Sequence, residues 1–272
     1  MAAHNYALSS AQYAPETAPI LLKGTICENL KKAAALGYQA IEIHLRENDP
    51  IDFKAVKHMM KATDVGISMI VTGRLNTEGG CSLIDDRPYA MKAAVEGVKQ
   101  YIYIASEFGA GIILGWAIGN IPKGALCRTH YMDRLAANLR EICAYAAEKN
   151  VTVNVEIINH YEVNVFTSAA KFAEFQETYH IPNLYAHLDV YHMNLEELDF
   201  KAAVERVKGQ IGYVHLADST RLYPGSARID FKEVLDLMDA AGYQGYFSVE
   251  CFPVPTGEEA AKRAISHMRS LE

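Results

Sequence analysis

Cysteine is scarce: five in 272 residues, at positions 27, 81, 127, 143 and 251, with no Cys-x-x-Cys pair. That excludes a disulfide framework and a thiolate zinc site, and it fits a reducing cytoplasm. Basic residues are in deficit, 26 Lys and Arg against 33 Asp and Glu, for a net charge of −7. An acidic chain is a poor partner for nucleic acid or for an anionic membrane surface. No apolar run reaches the ~20 residues of a membrane-spanning helix. The opening "MAAHNYALSSAQYAPETAP" lacks a basic segment followed by an apolar one, so no secretory leader is expected. No Gly-rich turn follows the first apolar run, and "FGAGIILG" has its glycines at a helix-to-strand junction, the wrong order for a dinucleotide fold. No Pro/Gly-rich linker divides the chain, and a single domain over residues 1–272 is expected.

What is present is alternation. Short β-rich runs read at 5–11, 40–45, 66–71, 111–116, 151–156, 184–189, 211–216 and 246–251, separated by amphipathic stretches such as "DRLAANLREICAYAAEK" and "FKEVLDLMDAAG". Eight such units in one chain of this length predict an α/β fold of the (β/α)₈ TIM-barrel type, with a doubly wound open sheet as the alternative.

Side chains alternate across a strand, so each run has two faces. In "LYAHLD", Leu184, Ala186 and Leu188 oppose Tyr185, His187 and Asp189. In "VTVNVE" the valines oppose Thr152, Asn154 and Glu156; in "IGYVHL", Val214 and Leu216 oppose Tyr213 and His215. In "YFSVEC", Phe247, Val249 and Cys251 oppose Tyr246, Ser248 and Glu250. The apolar rows of a barrel pack on the outer helices, so Glu156, Asp189, His215 and Glu250 converge inward at the C-terminal rim. Any one of them alone is equally explained as a hydrogen-bonded interior group. Three carboxylates together need a cation, and three oxygens with one imidazole suit Mn²⁺, Mg²⁺ or Co²⁺ better than structural zinc.

Further polar residues fall near the same rim. His192 lies where a rim loop would start, as a surface histidine or a site residue. Arg221 in "ADSTRLYPG" can grip a hydroxyl, carboxylate or phosphate, or stay solvated. Glu162 in "NHYE" can orient hydroxyls or stand at a helix start. Trp116, the one tryptophan, ends the fourth strand as a pocket wall or a core residue. Glu42, His44 and Arg46 share one face of the second strand, so Arg46 is expected at the rim, and His187 in the interior below the metal.

The motifs "VEIINHYE", "LDVYHMNLEE", "YVHLADSTRLYPG" and "YFSVECFP" resemble the sugar isomerase/epimerase TIM-barrel family, xylose-isomerase-like in fold, and within it the D-tagatose 3-epimerase group. "ADSTRLYPG", "SVECFPVPTG" and "GGCSLID" bring the chain nearer the 5-keto-L-gluconate epimerase branch, although His160 stands where those relatives more often carry arginine. The resemblance implies that Glu156, Asp189, His215 and Glu250 hold a divalent metal, Mn²⁺ foremost. It implies that Glu162, His192 and Arg221 contact a small-molecule sugar, and that the protein is a homodimer or homotetramer.

The implied reaction inverts the carbon beside the ketone of a ketose or keto-uronate, with Glu156 and Glu250 exchanging the roles of base and acid. If the substrate is a uronate, Arg46 is the expected partner of its carboxylate. An aldose–ketose isomerase on the same site is the nearest rival. A metal-dependent endonuclease-like hydrolase would need more histidine and a basic surface.

Overall fold

Each of the eight apolar runs forms a strand, and every pairing between neighbours is parallel. The computed structural model describes residues 4–46 and 49–272; the first residues of the stretch read for a leader lie outside them. The strands are β1 (Asn5–Ala11), β2 (Leu22–Lys23), β3 (Ala40–His44), β4 (Gly66–Val71), β5 (Gly111–Leu114), β6 (Val153–Ile157), β7 (Leu184–Asp189), β8 (Ile211–Leu216) and β9 (Tyr246–Val249). They pair in the order β2-β1-β3-β4-β5-β6-β7-β8-β9, and β1 pairs back onto β9. The barrel therefore closes through eight strands. The two-residue β2, absent from the sequence reading, extends the edge of β1 through Ser10 and Ala11, beyond the Asn5–Leu8 stretch that β9 covers.

Helices α1 (Ile26–Leu36), α2 (Phe53–Thr63), α3 (Arg74–Thr77), α4 (Pro88–Phe108), α5 (Arg128–Glu148), α6 (Ala169–Tyr179), α7 (Val190–Glu196), α8 (Phe200–Arg206), α9 (Phe231–Ala240) and α10 (Gly257–Arg269) connect them. Their starts follow from side-chain chemistry. Thr25 and Glu28 form a reciprocal capping box at α1, while Asp52, Ser168, Asp199, Asp230 and Thr256 each accept a backbone N–H at the start of a helix. No described helix is long and apolar enough to cross a membrane.

The apolar rows of the strands pack under these helices in one large cluster. The interior holds a much smaller apolar plug of Met69, Val71, Ile113 and Tyr213, with Tyr246 against it. Toward the C-terminal rim this plug gives way to buried polar groups, Glu42, His187, Asp189, His215 and Glu250. His187 is fully buried, edge-on to Tyr213 and to His215. A barrel with charged residues sealed inside its mouth is organised around a site rather than around packing alone.

Three local expectations change. Trp116 does not end a strand: β5 stops at Leu114, and Trp116 opens a 3₁₀ turn ending at Ile118. His192 is not in a loop: α7 begins directly after Asp189, and His192 is a buried helical residue. Glu250 follows β9 rather than lying within it.

Candidate active site and metal centre

One ligand atom from each of Glu156, Asp189, His215 and Glu250 lies within 4.8 Å of the others. His215 Nδ1 sits 3.4 Å from Asp189 Oδ2, 3.7 Å from Glu250 Oε2 and 3.8 Å from Glu156 Oε1. Asp189 Oδ2 and His215 Nδ1 are buried without a hydrogen-bond partner. Burying such atoms unpaired is costly, and their convergence on one point suits a shared cationic partner. Three carboxylates and an imidazole lone pair give the donor set of a divalent cation, and the residues fit one.

The atoms facing away from that point are held. Asp189 Oδ1 accepts the His192 N–H at 3.0 Å and so caps α7, leaving Oδ2 for the centre. His215 Nε2 lies 2.7 Å from Glu42 Oε2, which makes Nε2 the protonated nitrogen and turns the Nδ1 lone pair inward. Glu42 Oε1 lies 2.9 Å from His44 Nε2, and that nitrogen is 3.5 Å from Glu250 Oε1. Gly115 is required for room: a Cβ there would stand 2.4 Å from Glu156 Oε2.

The charges are tuned by the same contacts. Burial raises the Glu156 carboxyl well above its ordinary range, and the negative charge of Glu250 adds to it. Burial also works against ionising Asp189 and Glu42. The imidazoles of His192 and His215 outweigh it at Asp189, and those of His215 and His44 outweigh it at Glu42, so both sit below the usual carboxylate range. At His215 burial disfavours the cation, but Glu42 and Glu250 prevail and raise its basicity.

A polar ring joins the two glutamates around the mouth. His192 Nε2 is 3.9 Å from Glu156 Oε1, and His192 Nδ1 accepts from Asn159 Nδ2 at 2.7 Å. Asn159 also donates to Glu162 Oε1 at 3.0 Å. Arg221 Nη1 donates to that same oxygen at 3.3 Å, and its Nη2 lies 3.6 Å from Glu250 Oε2. Arg221 has a left-handed backbone, φ 58°, and sits between the rings of Tyr191 and Phe252. Asp218 fixes its loop by accepting backbone N–H groups from Ser219, Gly225, Ala227, Arg228 and Ile229.

Glu156, Glu162, His192, Arg221, Glu250 and Trp116 all line one cavity of ≈ 350 Å³ at the C-terminal ends of the strands. Asp189 and His215 lie buried at the same centre. Arg46 is the exception among the expected residues: its guanidinium is 2.9 Å from Glu78, and it does not line the cavity. β3 ends at His44, so strand alternation no longer directs a side chain two residues later. His160 pairs with Glu196 and packs at a tilt against Tyr161, away from the lining. A larger hollow of ≈ 600 Å³ lies beside α5 and α6, lined by Arg128, Phe175 and Tyr179 among others, and includes none of the converging ligands.

Sequence reasoning missed Glu42 and His44 as site residues, although parity had already put them on the inner face. Asn159, Gly115 and Asp218 carry no periodic signal and act through contacts made only in the folded chain.

A profile of the xylose isomerase-like TIM barrel family matches residues 30–271. The L-ribulose 3-epimerase of Mesorhizobium japonicum is 29% identical over 226 residues, covering 82% of this chain and 75% of that protein. The ketose 3-epimerase of Arthrobacter globiformis is 25% identical over 244 residues, covering 89% of this chain and 83% of its own. Among solved structures, a D-allulose 3-epimerase from Methylomonas sp. superimposes with a TM-score of 0.82 at 19% identity, over 99% of this chain and 98% of that one. This last likeness concerns the fold.

Proposed function

The chain belongs to the xylose isomerase-like TIM barrel family, and from that premise we propose that it is a metal-dependent carbohydrate epimerase. Its substrate is a ketose or keto-uronate, of the D-tagatose/D-psicose or 5-keto-L-gluconate kind, inverted at the carbon beside the ketone. The observation that carries this reading is the pair Glu156 and Glu250. Both line the cavity, and both offer an oxygen to one cluster with Asp189 and His215. The ketose 3-epimerase relatives support it.

Glu156, Asp189, His215 and Glu250 would hold the ion, with Mn²⁺ the best match to three oxygens and one nitrogen, and Mg²⁺ or Co²⁺ as alternatives. When bound, the metal supplies Lewis acidity, stabilising the negative charge that develops beside the carbonyl as the C–H proton leaves. One glutamate, as carboxylate, removes that proton; the other, protonated, delivers one to the opposite face of the same carbon. Reversing the direction exchanges their roles. Burial and the charge of Glu250 raise the Glu156 carboxyl toward the range in which it can carry a proton. His192 and Arg221 hold substrate oxygens from the polar ring, Glu162 orients a further hydroxyl, and Trp116 walls the sugar. None of the five cysteines is in a disulfide, which fits a cytoplasmic enzyme.

The test is a panel of D-tagatose, D-psicose, L-ribulose and 5-keto-L-gluconate, assayed after stripping with EDTA and again after reloading with Mn²⁺. The expected result is inversion next to the ketone with metal and none without. Full turnover in the stripped sample, or an aldose as the product, overturns the reading.

A further inference from the structure

Arg74, the first residue of α3, lines the same cavity, and its side chain is only 11% exposed. Its Nη2 donates to the Tyr13 carbonyl. Its Nη1 is buried and has no hydrogen-bond partner; the nearest carboxylate oxygen is Glu78 Oε1 at 3.8 Å, beyond hydrogen-bond range. A guanidinium keeps its charge when buried, so an unpaired N–H there is an unmet demand for an acceptor. The other cationic side chain lining the cavity, Arg221, already faces Glu162 and Glu250, and His44 faces Glu42. Arg74 Nη1 is therefore a buried charged donor on this wall without an acceptor.

Its surroundings suit an anion. Thr77, on the same wall, donates to the Gly73 carbonyl at a long 3.4 Å and can be redirected. Glu78 is held by Arg46 at 2.9 Å, so it can yield its place beside Arg74 and keep a partner. Asp49 is turned to the Arg46 backbone N–H at 2.8 Å and does not line the cavity.

Resting on the epimerase reading, we infer that Arg74, with Thr77 beside it, forms an anion subsite for an acidic group on the sugar. A carboxylate or a phosphate meets that description, and the guanidinium pairs with either. A neutral sugar hydroxyl gives a buried guanidinium no compensating charge, so a subsite of this kind selects acidic sugars over neutral ones. Arg46 then acts as the residue that retains Glu78 rather than as the carboxylate's own partner.

The test compares Arg74→Gln, Arg74→Lys and Glu78→Gln with the parent, all Mn²⁺-loaded. The substrates are D-tagatose, 5-keto-L-gluconate and D-tagatose 6-phosphate. The ratio of KM for the preferred acidic sugar to KM for D-tagatose is expected to rise about 10- to 100-fold in Arg74→Gln. It should recover in part in Arg74→Lys and fall in Glu78→Gln. A binding arm needs no turnover: calorimetry of the loaded protein with D-gluconate, D-glucitol 6-phosphate and D-glucitol. Tighter binding of one acidic ligand, lost in Arg74→Gln, supports the subsite and says whether carboxylate or phosphate is its source. Equal binding of all three ligands, or a KM ratio that does not move in Arg74→Gln, overturns it. If no sugar is inverted by any variant, the epimerase reading fails, and the calorimetry still decides the subsite.

Discussion

Glu156→Gln and Glu250→Gln are each expected to lower kcat by about 10²–10⁴-fold, the usual worth of positioned acid–base help. Glutamine keeps the shape and one oxygen of each residue but cannot take up or release the proton. Both residues also belong to the ligand set, so turnover is to be measured at saturating Mn²⁺ with bound metal counted. Each variant retains one of the two acid–base groups, on one side of the reacting carbon. Glu156→Gln should therefore wash solvent deuterium into one epimer without inverting it, and Glu250→Gln into the other. Normal turnover in a fully loaded variant would remove that glutamate from the pair, and exchange into the same epimer in both variants would contradict opposed faces.

Asp189→Asn is the second large effect, because the two oxygens of Asp189 do different work. Oδ1 caps α7 and Oδ2 points unpaired into the cluster. Asparagine can keep its oxygen on the His192 N–H and puts an NH₂ where the cation would sit. Mn²⁺ affinity is expected to fall by more than the roughly 10–100-fold seen when outer-shell partners of a metal are removed. Saturating metal at about 100 times its Kd stabilises a protein by about 3 kcal/mol, and this rise in melting temperature should vanish in the variant. The metal-free melting temperature should stay close to that of the parent. Asp189→Ala loses the cap as well, at a further cost of about 1 kcal/mol. Calorimetric titration with Mn²⁺ and thermal melts separate the two roles; an unchanged Mn²⁺ affinity in Asp189→Asn would count against the assigned centre.

Much of the barrel was legible because strands obey a two-residue period. Val153 and Val155 outward with Glu156 inward is the same statement in sequence and in structure, and Asp189, His215 and Glu250 repeat it. Where the period ends, the reading ended too. Arg46 lies two residues beyond β3, and its partner Glu78 is remote in the chain, so nothing local announces that pairing. β2 is extended because the edge of β1 holds it, not because Leu22 and Lys23 form a pattern of their own. β5 stops before Gly115, whose missing Cβ leaves room for Glu156, and Trp116 falls in the 3₁₀ turn that follows. His192 could have been placed from Asp189, since an aspartate directly before a short apolar-polar run is a helix cap as well as a ligand. Arg74 shows the limit most clearly: its sequence, "TGRLNTEGG", says only that an arginine is present, and an unsatisfied donor exists only once the chain around it has folded.

The most direct test of the central claim is epimerisation by the Mn²⁺-loaded protein in D₂O, with the product isolated at low conversion and examined by NMR. Deprotonation on one face and reprotonation on the other place one deuterium at the inverted carbon and none elsewhere, since the delivering glutamate draws its proton from solvent. Product that is fully inverted yet carries no deuterium at that carbon would contradict the two-glutamate account.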